Sequence, residues 1–242
     1  MGQHIPYVIV AAPLSKQPAG GKVELSSAER HHLGTVLRLR DGAELHLCDG
    51  RGAHAVGQFG QGHVVLTEAA TVDPEPDPAV DVLQSVPKGR KFDDIVRVLT
   101  ELGVDGITLL AASHTVGKVD ALRSERMLER ASAVVHAAAQ QSRRSRLPRI
   151  DGPVTSTDVR VDPGTTLLVT QPGAPRLSTQ LPDDVGVRVA VAVGPEGGWS
   201  AHELDHFAAV GGRLVGMGDS VLRTEHAAAA AVAVISAAIG RW

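Results

Sequence analysis

Three segments bring together residue types able to do chemistry. The first, Val193-Gly194-Pro195-Glu196-Gly197-Gly198-Trp199-Ser200, follows an apolar run and precedes a helical pattern. Its glycines let a ligand approach the backbone, Pro195 stiffens the turn and Glu196 adds a carboxylate, which together point to a ligand loop. Ser200 and Glu203 match the S-x-x-E capping box, which predicts a structural role at a helix start. The second segment, Met217-Gly218-Asp219-Ser220-Val221-Leu222-Arg223-Thr224-Glu225-His226, again reads strand, loop, helix. Thr224 is the candidate N-cap, and Glu225 suits the first turn of a helix. Arg223, at the mouth of that helix, is either a salt-bridge anchor or a cation facing an anionic group. The third, His202-Glu203-Leu204-Asp205-His206, matches H-E-x-x-H, which on a helix would present two zinc ligands and a glutamate base. Against zinc hydrolysis, Glu203 already has a capping role and no third ligand follows at a characteristic spacing. Leu204 and Phe207 read as the buried face, with the histidines toward solvent, and no metal is expected.

The first two segments need strands to deliver them and helices to follow. Val80–Val86, Ile107–Ala112, Thr166–Thr170, Val187–Val193 and Arg213–Met217 are short apolar runs suited to strands buried on both faces. Helical patterns near Phe92–Leu102, Ala121–Gln141, Ala201–Val210 and Glu225–Ile239 alternate with them. The alternation predicts an α/β domain with a mostly parallel sheet, whose ligands bind at the loops after the strand C-terminal ends. Neither G-x-x-x-x-G-K-[ST] nor a strand-bounded G-x-G-x-x-G is present, which removes the commonest phosphate-cradling routes.

Asp73-Pro74-Glu75-Pro76-Asp77-Pro78 interrupts the chain with prolines and acids that neither helix nor sheet accepts, and 73–79 is read as a linker. Before it, Ala43–Cys48, Ala53–Phe59 and His63–Glu68 are short runs separated by glycine turns, and helical spacing occurs only around Ala28–Leu37. Residues 1–72 thus read as a small β-barrel-like domain, and 80–242 as the α/β domain.

With 242 residues, 43% hydrophobic and 21% charged, the chain is globular in composition. Only 2% is aromatic, which argues against a platform of stacked rings for single-stranded nucleic acid. The single cysteine, Cys48, excludes an intrachain disulfide and suits a reducing, cytoplasmic home. The start lacks the pattern of a signal peptide. Ala227–Ile239 is too short and alanine-rich to span a bilayer, so no membrane partner is expected. A helix so apolar on nearly every face is either buried or covered by a second copy. Net charge is −3, yet residues 76–150 carry 12 basic against 9 acidic groups, concentrated in Lys88–Lys91 and Arg143–Arg149. It is such local fields that steer a phosphate backbone, although a solvated helix end reads the same way.

Gly194-Pro195-Glu196-Gly197-Gly198 with Ser200 and Glu203, followed by Leu222-Arg223-Thr224-Glu225, resembles the RsmE family of SPOUT-class RNA methyltransferases. The resemblance extends through His32-Leu33, Val36-Leu37-Arg38, Asp49-Gly50, Lys88-Gly89 with Lys91, Glu101-Leu102-Gly103-Val104, Lys118, and Gln141-Ser142 with Arg144 and Pro148. It implies a PUA-like N-terminal barrel, a C-terminal α/β SPOUT domain threaded into a trefoil knot, and a homodimer. The reaction implied is methyl transfer from S-adenosylmethionine to N3 of a uridine in 16S ribosomal RNA, with the assembled small subunit or the naked RNA as substrate. The cofactor would lie bent among three loops, with Thr170, Gln171, Pro172, Gly194, Pro195, Glu196, Gly197, Gly198, Met217, Gly218, Val221 and Leu222 as its binding residues. A cation near the uracil oxygens stabilises the negative charge that develops there, which makes Arg223 the first catalytic candidate and Glu225 a weaker candidate base. Arg38, Lys88, Lys91, Arg144 and Arg146 are the candidate RNA-phosphate contacts. Several positions depart from the family pattern. Ser113-His114-Thr115 stands where Ser-Glu-Arg is common, Val98 and Ser220 replace a frequent Lys and Arg, Gln140 a common Glu, and His226 a common Thr. The alternatives are a SPOUT ribose 2′-O-methyltransferase acting on another RNA, an RNA-binding protein with an inactive knot, and the zinc hydrolase.

Overall fold

The structure, a computed structural model, describes residues 5–87, 91–115 and 121–242, the side chains of residues 121–123 excepted. Lys88 and Lys118 therefore lie outside the described residues. The chain folds as two units, Met1–Glu75 with Ala139–Leu147, and Pro76–Ala138 with Pro148–Trp242.

In the first unit, β1 (Tyr7–Ile9), β2 (Lys22–Glu24), β3 (Glu44–Cys48), β4 (Ala53–Gly60), β5 (His63–Leu66) and β6 (Thr71–Val72) form one sheet. Its order is β1-β3-β4-β5-β2, with β6 paired to β4. β1 runs parallel to β3, and every other pairing is antiparallel. Buried and less buried residues alternate along β4, as expected for a strand with one face on a core. That core is aliphatic, built on Val8, Leu14, Val23, Leu45, Leu47, Val64 and Leu66, with Phe59 the only ring among its buried members. The helix expected at Ala28–Leu37 is α1 (Ser27–His31), started by a Ser26–Glu29 capping box and continued by a π-helical turn over His32–Val36.

Ala139–Leu147 joins this unit, unlike the expected division into 1–72 and 80–242. Ala139 packs with Ile9 and Cys48, flanked by Tyr7 and Leu147. The Leu147 amide donates to the Gly50 carbonyl at 2.9 Å, and the Gly52 amide to the Ser145 carbonyl at 2.9 Å. Asp73, expected to open the linker, belongs here too. Its carboxylate accepts from Ser145 Oγ and lies 3.2 Å from His54 Nε2, and its carbonyl accepts from Arg146 Nη2 at 2.7 Å.

The second unit holds six strands, β7 (Ala79–Ser85), β8 (Gly106–Ala111), β9 (Arg149–Thr155), β10 (Thr165–Thr170), β11 (Arg188–Val193) and β12 (Arg213–Val215). They are ordered β12-β10-β11-β7-β8-β9, and every neighbouring pair is parallel. β11, in the middle, is buried at five consecutive residues, which is how an apolar run behaves when both sheet faces are covered. The helices are α2 (Lys91–Glu101), α3 (Ala121–Ser142), α4 (Ala201–Ala209) and α5 (Thr224–Ala238). α5 packs against α2, β7 and β11 through Ala227, Ala228, Ala231, Val232 and Ile235, whose small side chains allow close approach to the sheet. On the other face, Phe207 of α4 packs edge-on to Trp199 over Leu110, Leu167, Val169 and Ala192. β9 escaped sequence detection because it has no apolar run, and it carries Pro153, which an edge strand tolerates.

Candidate active site

Adjacent parallel strands β12, β10 and β11 deliver their C-terminal loops to one place. Residues 170–173, 193–196, 198–199 and 217–224 line a cavity of about 340 Å³, within the range of small-molecule sites. Interlocking hydrogen bonds hold its walls. Trp199 Nε1 donates to the Thr170 carbonyl at 3.1 Å, tying the loop after β11 to the end of β10. The Trp199 ring lies directly beneath Gly194, where an added Cβ would meet it at 3.1 Å. Gly216 is gripped on both sides, its amide donating to Pro175 at 2.7 Å and its carbonyl accepting from Leu177 at 2.8 Å. At the rim, Arg176 Nη2 lies 3.2 Å from both carboxylate oxygens of Asp219.

Eleven of the twelve expected cofactor residues line this cavity, as does Arg223; Gly197 and Glu225 do not. Arg223 is exposed, and its guanidinium has no hydrogen-bond or ion-pair partner among the described residues. Its backbone is the N-cap of α5, without a side-chain cap. Thr224 is therefore not the expected cap; buried in the first turn, it donates Oγ1 to the Gly194 carbonyl at 3.1 Å and fastens α5 to the loop after β11. Gly173, Val193, Asp219 and Ser220 line it from within the same loops, and Trp199, Thr224 and Ala227 complete the lining. The only sequence signal of these last three was position, since each flanks a loop already singled out.

Glu225 faces away from the cavity toward α2, with Oε1 2.7 Å from Lys91 Nζ and Oε2 buried without a hydrogen-bond partner. The Lys91 contact lowers its pKa, against a smaller upward push from burial. Lys91, expected to contact RNA phosphate, is thereby engaged within the protein, and Glu225 is a weaker proton acceptor than an ordinary carboxylate.

The H-E-x-x-H segment is committed elsewhere. Glu203 is fully buried, one oxygen accepting from the Ser113 amide at 2.8 Å and Ser156 Oγ at 2.5 Å, the other from the Ser200 amide at 2.7 Å and Ser200 Oγ at 2.8 Å. Burial raises the pKa of Glu203, but these donors together outweigh it, and the net shift is downward. His206 does not face solvent as expected, because its Nε2 lies 3.0 Å from the Val159 carbonyl. The Ser200–Glu203 capping box forms as the spacing predicts.

A family profile described as RNA methyltransferase domain matches residues 74–236, and one described as RNA methyltransferase PUA domain matches residues 25–58. A Mycobacterium tuberculosis protein named Ribosomal RNA small subunit methyltransferase E is 34% identical over 236 residues, covering 92% of this chain and 89% of its own. The chain belongs to this methyltransferase family. Its Synechocystis member is 32% identical over 240 residues, 96% of this chain and 77% of that one. A Legionella pneumophila methyltransferase solved in complex with the cofactor S-adenosylmethionine aligns with a TM-score of 0.82 at 26% identity, over 98% of both chains. A Neisseria gonorrhoeae family member shares the fold with a TM-score of 0.85 at 24% identity, over 97% of this chain and 98% of its own.

The methyltransferase's remaining RNA candidates differ in their surroundings. Arg38 is exposed, in a left-handed conformation with φ 54° just after the π-helical turn. Arg144 is half-buried, its carbonyl facing Cys48 Sγ at 3.6 Å. Arg146 is occupied, with Nη2 on the Asp73 carbonyl and Nε buried without a partner, lying where a Gly52 side chain would otherwise be.

Proposed function

We propose that this chain transfers the methyl group of S-adenosylmethionine to N3 of a uridine in 16S ribosomal RNA. The observation that carries this reading is the Arg223 guanidinium on the wall of the three-loop cavity, without a partner among the described residues. Three features of the cavity fit the cofactor. Its size suits a small molecule, the Glu196 carboxylate on its lining favours a cationic ligand, and Gly218, with φ +121° and open space where a Cβ would stand, leaves backbone free to meet one. Bound there, S-adenosylmethionine supplies an electrophilic methyl on a sulfonium centre.

The residues of this chain orient and stabilise. The three loops fix the approach so that attacking nitrogen and methyl meet in line at about 3–3.5 Å. Arg223 stabilises the negative charge that spreads onto the uracil oxygens as the N3 proton passes to solvent water. Glu225, paired with Lys91, orders the start of α5 and so positions Arg223; it is not the favoured base. Arg38 and Arg144 are the proposed phosphate contacts among the described residues.

The trefoil knot, the barrel closure of the PUA unit, the homodimer, the cytoplasmic location and the assembled subunit as substrate belong to the same proposal. The homodimer is supported by α5, whose outer residues Ala229, Ala230, Ala233 and Val234 are apolar yet half-exposed in the single chain. Among the described residues no helix is long and apolar enough to cross a membrane.

The test is labelled methyl transfer to small subunits from a strain lacking this gene, with the product nucleoside identified by mass spectrometry. N3-methyluridine is the expected product, whereas a 2′-O-methylated nucleoside would move the chain to the ribose-modifying reading.

A further inference from the structure

Gly197 is the one glycine of the Gly194–Gly198 loop segment that does not face the cavity, and its surroundings are informative. A Cβ on Gly197 would stand 2.9 Å from Cβ of His114 and 3.3 Å from its ring, so only glycine admits the imidazole there. The ring then reaches the next residue, with His114 Nδ1 2.9 Å from the Gly198 carbonyl. A carbonyl can only accept, so Nδ1 carries the proton and donates. Gly198 itself lines the cavity.

The turn that carries His114 is fixed from below. Thr115 closes it, its Oγ1 accepting from the Ala112 amide at 3.0 Å and its amide donating to the Ala112 carbonyl at 2.9 Å. Glu203 then binds the turn to the start of α4, accepting from the Ser113 amide with one oxygen and from Ser200 with the other. The same carboxylate takes Ser156 Oγ from the segment after β9. A single buried carboxylate thus joins the ends of β8 and β9 to the helix that terminates the loop after β11. In an isolated helix cap, Glu203 would need only the Ser200 amide; the Ser113 and Ser156 donors exceed what capping requires.

We propose that His114 is a positioning residue for the cofactor, clamping the Gly198 carbonyl from a turn that Glu203 holds in register, so that the backbone of the Gly194–Gly198 loop keeps its place along the cavity wall. This deepens the proposed function and rests on the cavity being the S-adenosylmethionine site. His114 is exposed and touches neither cofactor nor substrate in this role.

Calorimetric titration of S-adenosylmethionine into the full chain tests the clamp, with steady-state transfer and thermal melts alongside. His114→Ala should raise both Kd and KM for S-adenosylmethionine about five-fold, the worth of one neutral hydrogen bond, with kcat changed less than two-fold and Tm within about 2 °C. His114→Asn, which offers an amide N–H at similar reach, should recover most of the affinity. Glu203→Gln should weaken binding as well, and adding His114→Ala to it should cost less than two-fold more, because the turn is no longer held. An unchanged Kd in His114→Ala, or a loss that His114→Asn does not recover, overturns the clamp. Additive losses in the double variant overturn the part assigned to Glu203. Leu222→Trp, which fills the cavity, separates the two levels: if it still binds S-adenosylmethionine as the natural chain does, the site reading fails, and the clamp with it.

Discussion

Lys91 Nζ lies 2.7 Å from Glu225 Oε1, joining the first residue of α2 to the first turn of α5. Two residues with separate expected roles, a phosphate contact and a general base, are thus spent on each other. The lowered pKa of Glu225 follows chiefly from Lys91. A carboxylate so stabilised in its charged form is poorly matched to taking a proton from a weakly acidic N–H. Glu225→Gln should lower methyl transfer less than ten-fold and leave the shape of the pH–rate profile unchanged. A collapse of turnover with loss of the basic limb would instead restore Glu225 as the base.

Arg223 lacks any partner among the described residues while its backbone caps α5. A charge that stabilises nothing in the resting protein is available for charge that develops during reaction. Removing one such donor costs about 10²–10³ in turnover. Arg223→Ala should show that loss with S-adenosylmethionine affinity within two-fold, and Arg223→Lys should keep part of the rate. Turnover unchanged in Arg223→Ala would remove its catalytic role.

The parallel sheet was legible because β7, β8, β10 and β11 lie in apolar runs that alternate with helical patterns, and the capping box at Ser200–Glu203 because its spacing is local. The cavity was legible because ligand loops follow strand C-termini, and eleven expected residues lie there. What stayed hidden is long-range pairing. Nothing in the composition of Ala139–Leu147 says that it joins the first unit, because Asp73, Ser145 and Arg146 meet only once the chain has folded back. For the same reason Glu203 read as a cap or a zinc-site base, when two of its four donors come from 47 and 90 residues away.

Gly216 is a position where backbone meets backbone. An added Cβ would lie 2.3 Å from the Ala174 carbonyl oxygen, and the flanking hydrogen bonds to Pro175 and Leu177 leave neither segment free to withdraw. Overpacking of this kind costs about 1–3 kcal/mol. Gly216→Ala should lower Tm and weaken S-adenosylmethionine binding together, because the loops after β10 and β12 share both walls of the cavity. Normal stability and affinity in this variant would mean that the two loops separate easily.

Asp73 gives the first unit a sensitivity to acid. Its carboxyl is held below the usual aspartate value, chiefly by the Ser145 hydroxyl, and also by His54 and Arg146. A carboxylate whose folded pKa is depressed adds stability that is present above its unfolded value, near 3.8, and is lost as pH falls through the folded one. Because Asp73 is half-exposed, solvent screens the effect, and it should be modest. Urea melts followed by circular dichroism at pH 7 and pH 3 should show the natural chain losing stability in acid. Asp73→Asn should already be weaker at pH 7, with a smaller further loss on acidification, and Ser145→Ala should fall between them. If Asp73→Asn keeps the full pH dependence of the natural chain, the acid sensitivity belongs to other carboxylates and Asp73 is not what fixes Ala139–Leu147 to the first unit.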